Sequence, residues 1–262
     1  MKIDVHSFVG HWPFRRIPYR TVADTRQLLA RTATDVALIT PMASIFYKDC
    51  LSAAQELHEA LGTAGGTDLL LVAVVNPAFP GWLDDLSIIL DDLGCVAVRL
   101  IPNYHQYRLT DPEAGALLTE LQRREVPLFL SPRVEDERLH HWLVTTPPVS
   151  RLDIRWLLRA YPGLKIVLCN LNPDEVGFLQ REIVTHPAAY VDTSARMPQF
   201  YLEEMVGQLG VDRVVYGTGI PLHYPEPTLR MIGDAHLSEA DRRKILYENA
   251  SRLFDIEKVV RA

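Results

Sequence analysis

Cysteine is scarce in this chain, and its three copies, Cys50, Cys95 and Cys169, lie far apart with no Cys-x-x-Cys spacing. That spacing excludes a disulfide framework and a zinc knuckle, and a reduced, cytoplasmic setting is expected. A long apolar run is also missing, so no membrane span is expected, and Met1-Lys2 leads into Asp4 and His6 rather than a signal-peptide core. Excess positive charge is absent too: 27 Lys and Arg stand against 33 Asp and Glu, a formal charge of −6. Nucleic acid and anionic membranes both demand a basic face that displaces counterions, so neither is an expected partner. A small polar molecule is. No repeat, low-complexity tract or long charge run occurs, and Asp241-Arg242-Arg243-Lys244 reads as a solvated helix face.

The chain has 262 residues, 48% of them hydrophobic, enough to bury a sizeable core within one domain. Short apolar runs recur at 2–6, 35–40, 69–76, 95–101, 127–131, 164–170, 188–193 and 213–217, with amphipathic stretches between them. Continuous apolar strands alternating with helices are the mark of a parallel sheet buried on both faces. Eight such units predict an α/β fold, a (β/α)8 TIM barrel in a single domain over 1–262. Asp111-Pro112 and Asn172-Pro173-Asp174-Glu175 read as helix starts, Glu120 sits four residues before Arg124, and Leu117, Leu118 and Leu121 mark a buried stripe. The stretches 62–67 and 145–150 read as loops. In such barrels the chemistry sits on the loops that follow the strands.

The opening Ile3-Asp4-Val5-His6-Ser7-Phe8-Val9-Gly10 and the closing Tyr247-Glu248-Asn249-Ala250-Ser251-Arg252-Leu253-Phe254 resemble the first strand and last helix of the amidohydrolase-related branch of the amidohydrolase superfamily. The resemblance implies a (β/α)8 barrel that usually holds one divalent metal at the strand ends. This chain departs from the pattern at four positions. Phe8 stands where the second histidine is usual, and Ser131, Asn170 and Gly219 stand at the usual histidine, histidine and aspartate after strands 5, 6 and 8. A catalytic zinc keeps three protein ligands and an open position, so His6 alone cannot hold one. The expectation is therefore no metal and no cofactor. A rebuilt site drawing on His6, His105, His140, His141 and His223 is the alternative, and His11 packs beside Trp12.

Two loops carry most of the ionisable groups: Asn103-Tyr104-His105 after strand 4, and Arg133 to Trp142 after strand 5. Strand 4 alternates so that Arg99 points into the upper barrel if Val96, Val98 and Leu100 face the helices. A buried guanidinium there needs an anionic partner, either Asp192 or a substrate carboxylate. With the resemblance, these residues suggest a metal-free hydrolase of a small carboxylated lactone or ester, as in the superfamily's lactonase branch. His105 or His141 would serve as general base, with Arg138 and Asp192 completing the catalytic set. His6, Arg99, Asn103, Tyr104, Arg133, Asn170 and His223 would bind an anionic small-molecule substrate. The rivals are a metal-assisted hydrolase or decarboxylase with a rebuilt histidine site, and a non-catalytic ligand-binding barrel. A homo-oligomer is compatible with the resemblance.

Overall fold

Branched and apolar residues at each predicted strand favour extended backbone and leave little for solvent, so these segments pair with one another. The computed structural model describes residues 1–66, 68–142, 146–195, 198 and 200–254. Its strands are β1 (Ile3–Val9), β2 (Val36–Pro41), β3 (Leu69–Val74), β4 (Ala97–Leu100), β5 (Leu128–Leu130), β6 (Ile166–Leu168), β7 (Ala189–Asp192) and β8 (Val214–Val215). They pair parallel in chain order as an eight-stranded sheet. The backbone beyond β8 then returns to β1: Val5 N donates to Tyr216 O at 2.9 Å, Phe8 N to Ile220 O at 2.7 Å, and Gly219 N to His6 O at 2.7 Å. The chain forms the expected (β/α)8 barrel.

The strand ends differ from the apolar runs that announced them. β1 continues to Val9, whereas β8 shrinks to two residues because Val211–Arg213 forms a 3-10 turn before it. Leu164 is buried yet sits in a turn, its N–H donating to Tyr161 O at 3.1 Å, ahead of the three-residue β6. Apolar runs report burial, and burial extends past the ladder of paired strands.

The helices are α1 (Val22–Arg31), α2 (Cys50–Ala64), α3 (Trp82–Ser87), α4 (Pro102–His105), α5 (Pro112–Arg123), α6 (Arg151–Ala160), α7 (Pro173–Thr185), α8 (Tyr201–Leu209), α9 (Pro225–Asp234), α10 (Glu239–Arg243) and α11 (Asn249–Phe254). α7 starts with a capping box, Asn172 accepting from Glu175 N and Glu175 from Asn172 N, each at 2.9 Å. Asp111, by contrast, accepts from Arg108 N at 2.7 Å and makes no side-chain cap to α5. Leu117, Leu118 and Leu121 are buried, and Arg124 pairs with Glu120 at 2.7 Å. The stretch 62–67 is not a loop throughout, since α2 runs to Ala64; Thr67 and Thr145 lie outside the described residues. No helix of the described residues is long and apolar enough to cross a membrane.

Alternation along the strands sorts the core. Val98, Leu100, Leu128 and Leu130 pack outward with Leu117 and Leu121. Ala97, Phe129, Val5, Leu38, Val72 and Val167 pack inward. α11 closes the floor, its Phe254 ring stacked on Phe129 with centroids 5.5 Å apart. At the opposite end, Phe8, Trp12, Met42, Val74, Ile101 and Leu222 cap the mouth. Between these apolar layers lies a polar one, where the chemistry is.

Candidate active site

Arg99 is the central side chain of the polar layer, 1% exposed, on the inward face of β4 as alternation predicts. Its guanidinium carbon lies 5.0 Å from the centroid of the Phe8 ring and 5.1 Å from that of Phe129. The residue standing at the usual histidine position thus forms one wall of an aromatic sandwich around a cation. Nε donates to Thr40 Oγ1 and Nη1 to Ser131 Oγ, both at 3.0 Å. Nη2 has no oxygen or nitrogen partner among the described residues. The expected ion pair with Asp192 is not formed; hydroxyls and rings hold the group, Asp192 acts on it through charge, and Cys169 through charge and a side-chain hydrogen bond. Burial without a carboxylate contact lowers the guanidinium's pKa.

His6 projects from β1 beside it. The β1–β2 register shifts between Asp4 and Ser7, and a bulge of this kind re-aims side chains. Nδ1 meets Asp192 Oδ2 at 2.7 Å and Ser194 Oγ at 3.0 Å, while Nε2 is buried without a hydrogen-bond partner among the described residues. Burial first, then the Arg99 charge, lowers the His6 pKa, so the ring is neutral and Nδ1 donates to the carboxylate. Asp192 Oδ1 accepts from Asn170 N at 2.9 Å, Ser194 N at 3.2 Å and Ser194 Oγ at 2.9 Å. Burial alone would raise the Asp192 carboxyl, yet hydrogen bonds from His6, Asn170 N and Ser194 hold it below the ordinary value.

Two glycines and an asparagine permit this approach. A Cβ on Gly217 would meet Asp192 Oδ2 at 2.7 Å and His6 Cβ at 3.0 Å, so any side chain there would force the pair apart. Gly219, at the usual aspartate position, has φ of 72°, a left-handed conformation that disfavours a larger residue. Asn170 has φ of 57°, which asparagine tolerates better than most, and this turns its N–H onto Asp192.

The resemblance implies a divalent ion, and the residues test it. Phe8, Ser131, Asn170 and Gly219 do not supply the inherited ligand set. One ligand atom each from His6, Cys169 and Asp192, however, lies within 4.8 Å of the others, and all three residues are buried. With His6 Nδ1 as the imidazole donor, this set fits a single cation in a rebuilt site next to the inherited one.

The remaining predicted residues lie elsewhere. Arg133 donates to Glu175 Oε2 at 2.9 Å and Asn170 O at 3.1 Å, tying the loop after β5 to α7 rather than lining an anion pocket. Arg138 is 71% exposed and bound to Asp136, so it does not join the catalytic set. His105 Nε2 lies 3.1 Å from Ser44 O, and burial lowers its pKa. Asn103 donates to Pro132 O at 3.2 Å, and Tyr104 packs at the edge of the mouth cap. His141 stacks on Trp142, centroids 5.3 Å apart, above that cap. His223 lines a cavity of about 840 Å³, shared with Arg15, Ser194, Leu222, Tyr224 and Met231. Ser194 links that cavity to His6 and Asp192.

Sequence reasoning passed over Cys169 and Glu135. Cys169 adjoins the usual histidine position, and adjacency to an inherited ligand position was the available signal. Glu135, within the charged loop, is 2% exposed and 3.5 Å from Arg15 Nε; burial pushes its carboxyl up to about 7. No pattern in the loop separates it from its solvated neighbours. Asp4 is likewise pushed up to about 6 by burial, against hydrogen bonds from Thr218 and His6 N that favour its charged form.

Barrel and site together define an amidohydrolase-type protein, and the family's profile, described as amidohydrolase, matches residues 42–256. The chain belongs to that family. It is 28% identical over 184 residues to gamma-resorcylate decarboxylase of Rhodococcus jostii, covering 56% of this chain and 55% of that protein. Against the enzyme of the same description from Polaromonas sp. it is 26% identical over 175 residues, covering 53% of each. The chain spans about half the length of these curated relatives. Among solved structures, 2,6-dihydroxybenzoate decarboxylase from Rhizobium superposes with a TM-score of 0.75 at 19% identity, over 98% of this chain and 99% of the other. The Polaromonas dihydroxybenzoic acid decarboxylase, with bound manganese and the inhibitor 2-nitroresorcinol, gives 0.74 at 17% identity over 98% and 97%. These findings overturn the expectation of a metal-independent, lactonase-like hydrolase. The sequence relatives are decarboxylases, and a structural neighbour described as a dihydroxybenzoic acid decarboxylase carries manganese.

Proposed function

We propose that this chain is a carboxy-lyase that removes the carboxylate of a small hydroxylated aromatic acid as carbon dioxide. The observation that carries the reading is the buried Arg99, held between two aromatic rings with no oxygen or nitrogen partner for Nη2 among the described residues. A buried cation of this kind is costly unless an anion completes it. A substrate carboxylate is such an anion, and the decarboxylase relatives favour an aromatic acid. One free nitrogen orients the carboxylate by a single bond. A two-point grip would stabilise the bound acid more than the transition state, in which its charge is departing.

The acid reaches this layer through the cavity that ends at Ser194. The apolar cap of Phe8, Trp12, Ile101 and Leu222 keeps bulk water from the carboxylate, which favours its conversion to neutral carbon dioxide. Asp192 fixes the His6 ring. A divalent ion held by His6, Cys169 and Asp192 would supply positive charge that polarises the substrate's oxygens. Glu135, whose carboxyl burial pushes up to about 7, would hold the proton. That proton would end on the ring carbon as its bond to the carboxylate breaks and carbon dioxide leaves, and a proton from solvent would then restore the carboxyl. The three free cysteines accord with a reduced, cytoplasmic setting.

The test is incubation of zinc- and manganese-loaded protein with a panel of mono- and dihydroxybenzoates, measuring released carbon dioxide and the decarboxylated arene. Release that disappears in Arg99→Met supports the reading. No release from any panel member by either loaded form sinks it.

A further inference from the structure

We propose that His6, Cys169 and Asp192 form a thiolate-bearing site selective for zinc, in place of the oxygen- and nitrogen-rich site that manganese favours. The site lies at the ends of three strands, β1, β6 and β7, that meet at the barrel mouth. Each residue offers one donor atom, these atoms lie within 4.8 Å of one another, and every one of the three residues is buried. His6 Nδ1 and Asp192 Oδ2 face each other at 2.7 Å, so one ion could take the place of the proton between them.

Donor chemistry selects the ion. Manganese and magnesium prefer hard oxygen ligands in six-fold coordination, and Asp192 offers this cluster's carboxylate oxygens. Zinc accepts a thiolate, an imidazole and a carboxylate in four-fold geometry, with a fourth position open to substrate or water. Charge also fits. On binding, the Cys169 S–H bond breaks, sulfur keeps the electron pair, and the proton passes to solvent. The thiolate and the Asp192 carboxylate then offset a divalent charge. The inference holds whether or not the chain is a carboxy-lyase, because it concerns what the donors bind and not what is turned over.

The experiment uses the whole chain, stripped with chelator and titrated with cobalt(II), a spectroscopic substitute for zinc. Wild-type protein is expected to develop a near-ultraviolet sulfur-to-cobalt charge-transfer band that saturates at about one ion per chain and is displaced by zinc but not by equimolar manganese. In Cys169→Ser that band vanishes, and zinc retention, measured by plasma mass spectrometry after dialysis, falls by more than about tenfold. His6→Ala lowers zinc retention in the same assay. If cobalt binds folded wild-type protein without the charge-transfer band, or if manganese displaces it as well as zinc does, the proposal is overturned. The wild-type spectrum decides this even where a variant fails to fold. Carbon dioxide release, measured separately, reports on the proposed function and not on this one.

Discussion

The loop after β5 and the polar layer inside the barrel make an instructive pair. The loop concentrates charge in sequence, with Arg133, Glu135, Asp136, Glu137 and Arg138 nearly contiguous. The layer draws isolated residues from distant strands: His6, Arg99, Cys169 and Asp192. In the loop most charges neutralise one another, Arg138 with Asp136 and Arg133 with Glu175 and Glu137, partly in water. In the layer the groups are buried, and His6 Nε2 and Arg99 Nη2 have no oxygen or nitrogen partner among the described residues. Charge density along a chain therefore marks solvation, whereas an incomplete polar contact in a dry interior marks a place for a ligand.

Asp192 offers the harshest way to break the contrast. Its carboxylate accepts from two backbone N–H groups, one hydroxyl and one imidazole with no water to replace it. Asp192→Ala is expected to destabilise the fold by roughly 3–5 kcal/mol, read by urea unfolding. A loss below 1 kcal/mol would mean the layer is not the rigid element described.

Arg99 separates function from stability. Arg99→Met is expected to lower carbon dioxide release by about 10²–10³-fold. Thermal stability should hold or rise, since a desolvated cation gives way to an apolar side chain of similar length. Arg99→Lys should not restore activity, because an ammonium cannot span Thr40 and Ser131 while lying flat between the two rings. A melting temperature that falls together with activity would make Arg99 a structural residue first.

Glu135 sharpens the boundary between the two regions, being a loop residue that behaves like one of the layer. Burial raises its carboxyl from 4.5 to about 7, so the folded state binds this proton more tightly than the unfolded chain does. The resulting stabilisation is complete below pH 4.5 and is lost as pH rises through about 7. In Glu135→Gln that loss, up to roughly 3 kcal/mol, should vanish, so wild type minus variant stability falls across this window. Equal pH slopes for the two proteins would show that Glu135 titrates normally. At the smallest end, Arg138→Ala should leave both turnover and melting unchanged, since its pairing with Asp136 is largely solvated. A clear drop in turnover would restore it to the site.

The barrel was legible because parallel strands buried on both faces must be continuously apolar, and the eight runs say so. Arg99's inward direction was legible too, since alternation along β4 leaves it one face. Its partners were not: Thr40, Ser131, Phe8 and Phe129 come from other strands, and their meeting depends on strand stagger around the closed barrel. Cys169 looked inert because spacing reveals only local pairs, and its neighbours His6 and Asp192 are 163 and 23 positions away.

By itself, then, the sequence determined the architecture, the loss of the inherited metal ligands and the inward aim of Arg99, because periodicity and residue identity are local properties of the chain. Only the tertiary structure decided that Phe8 became a wall for a cation, that Gly217 leaves room for His6 and Asp192 to touch, and that Cys169 joins them. Those facts arise from closing β8 onto β1, which brings the two ends of the chain to the same dry layer.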